Sequence, residues 1–231
     1  SVLETIVDIV RKLIELIEKL LRDLLELDKR NVDAVARNAD KILKIAEDIV
    51  RTIASKGVPE EVKRRLEEIL ERIARLVRES KERLKRNNEE LEKLVRKLEK
   101  ELKEVLDDVK RVVDAGEDKD DALRRILELL DRLLESIKRV LKEITDSNKR
   151  LLDEHERVSK ELIELLREMA ERVNLDEDLK RELDRLIKEI EESNRRLKKT
   201  TKDLVDEVER ILRKIKDDIE DVKRKIEEDK R

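Results

Sequence analysis

The sequence predicts an all-α protein, an up-down-up-down antiparallel four-helix bundle of long, gently supercoiled helices. Apolar residues make up 38% of the 231 residues and recur at seven-residue intervals, which is the period of helices packed around a shared core. The chain contains only two Gly and one Pro, and these fall at regular separations where helices should begin or end. Connections this short make consecutive helices antiparallel neighbours.

The first two boundaries are marked by glycine. Gly57 suits the left-handed position just after a helix, and Pro59 suits the first turn of the next one. Gly116 ends the second helix in the same way, and Asp118 can cap the third by accepting hydrogen bonds from free backbone N–H groups.

The third boundary has no glycine. Asn174 is the next-best residue for the left-handed position, and Asp176 can cap the helix that follows. The sequence therefore predicts one domain, residues 1–231, with helices near 1–55, 59–115, 119–173 and 177–231.

The apolar period predicts how the helices coil. One column in the second helix is unbroken: Leu70, Val77, Leu84, Leu91, Leu98, Val105 and Val112. Its flanking column changes side along the helix, from Val62 and Ile69 early to Val95 and Leu102 later. A stripe that drifts in this way has a period between 3.5 and 3.6 residues, which indicates a gentle left-handed supercoil.

Composition excludes several classes of function. The chain has no aromatic residue and no Cys, which excludes aromatic-lined pockets, base-stacking surfaces and thiol nucleophiles. Charged residues make up 52%, but the net charge is only -3, so no nucleic-acid partner is expected. Because no apolar run exceeds three residues, a transmembrane span and a signal peptide are excluded, and a soluble protein is expected.

Polar residues interrupt the apolar stripes at two heights. Residues at equal distance from the turns lie at the same height in an antiparallel bundle. The first predicted polar layer contains Asp28, Asn31, Asn87, Asn88, Thr145, Asn148, Thr200 and Thr201. The second contains Asn38, Ser80, His155, Ser159, Ser193 and Asn194. Each layer takes residues from all four helices, so we interpret both as buried hydrogen-bond networks that fix helix register.

His155 invites two other interpretations, catalysis and metal binding. A catalytic triad would need Ser80 or Ser159 with His155 and Asp28, but Asp28 lies too far along the bundle to orient the ring. A di-iron site would need a Glu where Leu152 stands. We therefore expect no catalytic residue, no metal, no cofactor and no small-molecule substrate.

The first helix carries extra apolar residues near its start. Ile9 and Leu16, with Leu106 and Leu129 at the same height, could form an exposed patch that drives self-association. Burial through the drift of the stripe is the favoured interpretation, so a monomer is expected. Lipid-surface binding is a weaker alternative, because the stripes are narrow and aromatic anchors are absent.

In style, the whole chain resembles de novo designed helical bundles with hydrogen-bond networks, especially designed helical hairpins that pair through such networks. The features that carry this resemblance are the matched helices, the turns KGVP at 56–59 and GED at 116–118, and the runs SNKR at 147–150 and SNRR at 193–196. The resemblance implies a scaffold, a specificity module or a cage for a switchable helix, made by recombinant expression in the cytoplasm. Whether residues 1–115 and 119–231 are two tethered partners stays open.

Overall fold

A computed structural model describes the backbone of residues 2–230 and the side chains of residues 2–228. It contains four long α-helices: α1 (Val2–Ala54), α2 (Glu60–Asp114), α3 (Lys119–Arg172) and α4 (Glu177–Lys230). The predicted all-α four-helix bundle is confirmed, and the observed boundaries lie within a residue or two of the predicted ones. The predicted outer ends at Ser1 and Arg231 lie outside the described residues.

Glycine ends the first two helices as predicted. Gly57 has a φ of 76° and Gly116 a φ of 66°, both in the left-handed region that glycine adopts without steric cost. Among the described residues no other type has a positive φ, so the left-handed conformation predicted for Asn174 is wrong. In the α3–α4 connection Leu175 is buried instead, and its packing directs the chain into α4 without a left-handed residue.

Capping at the start of α4 agrees with the prediction for Asp176. Its carboxylate accepts a hydrogen bond of 2.9 Å from the backbone N–H of Leu179, which satisfies one of the free donors of the first turn. The Lys56 ammonium pairs with the same carboxylate. This ion pair joins the α1–α2 connection to the α3–α4 connection, as antiparallel neighbours require.

The helices divide into two compact units along their length. Unit 1 consists of Ser1–Asp28, Glu89–Asp146 and Asp203–Arg231. Unit 2 consists of Lys29–Asn88 and Ser147–Lys202. Each unit contains a segment of all four helices. That the whole chain is one domain stays a prediction.

Unit 1 has one continuous apolar core, which we call core 1. Ile17, Leu98, Ile137 and Ile215 are almost fully buried there, and each comes from a different helix. Ile9, Leu106 and Leu129 are half-buried and pack against core 1. Leu16 is also half-buried. Full burial of a side chain such as Leu or Ile contributes ~1.5 to 3 kcal/mol, so this core is the main source of stability in unit 1.

Unit 2 has two separate apolar clusters. The larger one, core 2, includes Ile49, Leu66, Met169 and Leu186. The smaller one, core 3, has four buried members. They are Val32, Val35, Leu84 and Leu197, with Leu151 and Leu152 partly buried against them.

Ion pairs join neighbouring helices on the surface of both units. In unit 1 Lys223 pairs with Asp131, which joins α4 to α3. In unit 2 the pairs are Lys81–Asp40, Arg65–Glu168, Arg83–Glu154 and Lys41–Glu189. Exposed pairs contribute only ~0 to 1 kcal/mol each, so they favour the correct neighbours more than they stabilise the fold.

Within the described part of the chain, no helix is long and apolar enough to cross a membrane.

Candidate functional site

All fourteen predicted polar-layer residues lie at least partly inside the bundle, because they occupy the inward face of amphipathic helices. The buried ones are Asp28, Ser80, Asn148, His155, Ser159 and Thr201. The half-buried ones are Asn31, Asn38, Asn87, Asn88, Thr145, Ser193, Asn194 and Thr200. Asp28 and Thr145 belong to unit 1 and the other twelve to unit 2.

One cross-helix hydrogen bond joins two predicted members of the second layer. The Ser159 hydroxyl donates to the side-chain amide oxygen of Asn194 over 2.8 Å. Ser159 is buried on α3 and Asn194 lies on α4. Because a buried polar group pays a desolvation penalty unless it is paired, this bond favours one alignment of the two helices.

A second cross-helix bond involves a residue that the sequence analysis missed. The Ser147 hydroxyl donates to the side-chain amide oxygen of Asn87, which joins α3 to α2. Ser147 is buried, although it directly precedes the inward-facing Asn148. Two adjacent residues can both face inward, as Asn87 and Asn88 do on α2, and the adjacent polar pair Ser147 and Asn148 was the signal that could have identified Ser147.

Other polar atoms of the predicted layers find no hydrogen-bond partner among the described residues. These buried atoms are Asn38 Nδ2, Asn87 Nδ2, Asn88 Oδ1 and His155 Nε2. The Thr200 hydroxyl bonds within its own helix, to the carbonyl oxygen of Leu197 at 3.0 Å. The structure therefore brings Ser159 and Asn194 together, and the two complete networks stay a prediction.

The environment of His155 favours a neutral ring. Its side chain is 9% exposed, and burial lowers the pKa of the imidazole below its ordinary value because the charged form loses its hydration. The Ser159 proton is donated to Asn194, so this geometry does not show His155 activating Ser159 as a nucleophile.

Charged side chains outside the layers act as structural pairs. The Arg65 guanidinium donates to Glu168 and holds the pKa of that carboxyl below its ordinary value. Lys56 and the Leu179 N–H do the same for the pKa of Asp176. No cluster of three or more His, Cys, Asp or Glu side chains that could hold a metal ion occurs among residues 2–228.

On each helix of unit 2 a polar residue of the second layer stands between core 2 and core 3. On α1, α2, α3 and α4 these residues are Asn38, Ser80, His155 and Asn194. Their flanking apolar pairs are Val35 and Ile42, Val77 and Leu84, Leu152 and Val158, and Ile190 and Leu197. The second layer therefore separates two apolar clusters at the same point on all four helices.

Comparison with known proteins gives no relative from which a function could be transferred: no family model, no curated protein and no solved structure matches this chain.

Proposed function

We propose that this chain is a structural scaffold and pairing module, in which buried polar side chains fix the register and the partners of the helices, and that it has no catalytic activity. The observation that carries the proposal is the interruption of the apolar core by polar residues on all four helices of unit 2. The likeness in style to de novo designed helical hairpins fits this function.

The physical reason lies in the repetitive sequence. Helices with near-identical heptads can slide by one heptad and still bury apolar surface. If α4 slides against α3, however, Ser159 and Asn194 lose their bond, and each buried polar group left unpaired costs ~1 to 3 kcal/mol. A polar layer thus penalises wrong alignments even where it adds little stability to the correct one.

The pairing of two hairpins tests this function. A protease site that replaces the α2–α3 connection around Gly116 divides the chain into two helical hairpins, which are then purified separately and mixed. We expect only a one-to-one complex, measured by native mass spectrometry, since each hairpin leaves one apolar stripe uncovered.

A variant without the second layer makes the test specific. In this variant all six residues of the layer are replaced by Leu or Ile: Asn38, Ser80, His155, Ser159, Ser193 and Asn194. Its hairpins should form homo-oligomers as well as the one-to-one complex, while chemical denaturation shows the uncut variant to be at least as stable as the original chain.

Exchanges between Leu and Ile at core 2 positions such as Ile69, Leu162 and Leu183 provide the matched control, because they alter packing and leave every polar group in place. The proposal would be contradicted if the two hairpins of the original sequence did not associate. It would also be contradicted if the hairpins of the variant without the second layer formed only the one-to-one complex.

A further inference from the structure

Four ion pairs within unit 2 join the α1–α2 hairpin, residues 2–114, to the α3–α4 hairpin, residues 119–230. They are Lys41–Glu189, Lys56–Asp176, Arg65–Glu168 and Arg83–Glu154. In each of these pairs the cation belongs to the α1–α2 hairpin and the carboxylate to the α3–α4 hairpin. The first hairpin is not basic throughout, since Asp40 of α1 pairs with Lys81 of α2 inside it. The separation of charge therefore concerns the contact between the hairpins.

The α2–α3 seam, the surface groove where α2 and α3 meet in unit 2, extends this separation beyond the ion pairs. Its charged lining consists of Arg72 and Arg75 from α2 and Glu161, Glu164 and Glu168 from α3. Glu154, Glu161 and Glu168 recur at seven-residue intervals, so they form an acidic row along one edge of α3. Each helix thus supplies one sign of charge to this seam.

The α1–α4 seam, the corresponding groove between α1 and α4 in unit 2, has the same polarity. Arg37 and Lys41 line it from α1, and Glu189 and Glu192 line it from α4. Arg196 also lines it from α4, but its guanidinium pairs at 3.7 Å with Glu192 of the same helix, which offsets its charge. The α1–α2 hairpin is therefore basic along both seams.

The grooves inside each hairpin do not separate charge in this way. In both of them each helix supplies cations and anions. The charged residues are Glu47, Arg51, Lys63 and Glu67 between α1 and α2, and Arg167, Glu171, Asp184, Lys188 and Glu191 between α3 and α4. The sorting of charge by sign thus follows the boundary between the hairpins and is not a general property of this surface.

We propose that the two seams select the partner of each hairpin by charge: the α1–α2 hairpin accepts a helical hairpin that carries carboxylates at matching heights and rejects a second copy of itself. Two α1–α2 hairpins would bring basic rows together, and two α3–α4 hairpins would bring acidic rows together. Like charges across a helical interface disfavour the wrong partner. This inference rests on the proposed pairing function and adds a determinant of pairing outside the buried polar layers.

Charge reversal in the full chain tests the complementarity of the seams. The acidic-seam variant carries Lys41→Glu, Arg65→Glu, Arg72→Glu and Arg83→Glu. The basic-seam variant carries Glu154→Lys, Glu161→Lys, Glu168→Lys and Glu189→Lys. In urea denaturation at 0.1 M NaCl, each variant should raise the equilibrium constant for unfolding at least ten-fold, because like charges then meet across both seams. Combining all eight substitutions should restore that constant to within three-fold of the original.

A matched control changes the net charge equally without touching either seam. It carries Lys44→Glu, Arg64→Glu, Arg78→Glu and Lys85→Glu, at exposed positions that line neither groove. This control should change the equilibrium constant less than three-fold. In 1 M NaCl the screening length falls from ~10 Å to ~3 Å, so the effect of each seam variant should also fall below three-fold.

Exchange of hairpins between full chains measures the choice of partner. A flexible Gly/Ser linker of about 20 residues replaces the α2–α3 connection, so that hairpins of two chains can exchange. When acidic-seam and basic-seam chains are refolded together at about 0.1 mM, native mass spectrometry should show a mixed dimer at least ten-fold more abundant than either homodimer. Only in the mixed dimer can every seam join opposite charges.

Three results would overturn selection by charge: a combined variant as unstable as either seam variant, a control as unstable as the acidic-seam variant, or a mixed dimer no more abundant than the homodimers. Circular dichroism checks that each variant folds, and the combined variant decides the question if one seam variant does not. All these chains keep the second layer, so these results leave the pairing function intact. Failure of the original hairpins to associate after cleavage would instead contradict that function, while the charge-reversal rescue is still measured in the uncut chain.

Discussion

At the scale of the residue, the polar side chains of the second layer differ in whether they have a hydrogen-bond partner. Ser159 and Asn194 satisfy each other across α3 and α4. The imidazole of His155 is also buried, yet its Nε2 atom has no hydrogen-bond partner among the described residues. A buried group without a partner gains nothing from the fold, so its ionisation should oppose folding.

The pH dependence of stability should report this burial. The folded state holds the pKa of His155 below its unfolded value of about 6.5. Above that pH the His155 ring is neutral in both the folded and the unfolded state, so it does not change the free energy of unfolding. As the pH falls below it, the unfolded chain takes up a proton that the folded chain refuses, so stability is lost until the pH reaches the folded pKa.

We therefore expect the free energy of unfolding, measured by urea denaturation, to fall as the pH is lowered from about 7.5 to about 5.5, about one unit either side of the ordinary pKa. His155→Gln should remove this slope. Glu168 and Asp176, whose pKa values are lowered by Arg65 and Lys56, lose their contributions only at lower pH. An unchanged slope in His155→Gln would show that the ring does not titrate between folded and unfolded states in this range.

At the scale of the element, helix ends were the part of the fold that sequence indicated most directly. Gly57 and Gly116 have the predicted left-handed conformation because a residue without Cβ adopts it at no cost. Asn174 does not, because the burial of Leu175 directs that connection. The preference of Asn for the left-handed conformation was therefore not decisive at this helix end, and no sequence pattern around Asn174 indicates that Leu175 is buried.

Substitution at the turns should separate these two kinds of helix end. Gly57→Ala should lower the free energy of unfolding by ~1 to 2 kcal/mol, which is the cost of the left-handed conformation for a residue with a Cβ. Crowding adds nothing, since a Cβ at Gly57 would meet no atom within 4 Å.

Asn174→Ala is the matched control and should change stability by less than ~0.5 kcal/mol, because Asn174 is exposed and has no positive φ. Thermal and urea denaturation of both variants measure the difference. If both substitutions lower the free energy of unfolding by the same amount, the positive φ of Gly57 is not the reason that glycine stabilises this turn.

At the scale of the whole molecule, the spacing of the breaks at Gly57, Gly116 and Asn174 predicted four matched helices but not the two compact units. The polar positions were visible in the sequence, and all fourteen lie at least partly inside the bundle. The hydrogen-bond partners of these residues were not visible, because hydrogen bonding depends on side-chain rotamers that a sequence pattern does not specify. Ser147, which donates to Asn87, was missed for this reason. Cross-helix ion pairs such as Lys81–Asp40 were also missed, since every exposed face offers both signs of charge.

The division of the core predicts unequal local stability. Core 1 is continuous through unit 1, whereas unit 2 divides its apolar residues between core 2 and the small core 3. Buried apolar area sets most of the free energy of local opening, and unpaired polar atoms such as Asn38 Nδ2 and His155 Nε2 reduce it further. The part of unit 2 that contains core 3 should therefore open before unit 1.

Native-state hydrogen exchange measures this difference directly. Backbone amides near Val35, Leu84 and Leu197 should exchange at least ten-fold faster than those near Leu98 and Ile137, which corresponds to an opening free energy lower by ~1.4 kcal/mol. The variant with an apolar second layer should narrow the difference, because Leu and Ile in place of the polar side chains join core 2 to core 3. Uniform protection along all four helices would instead mean that the chain opens as one cooperative unit.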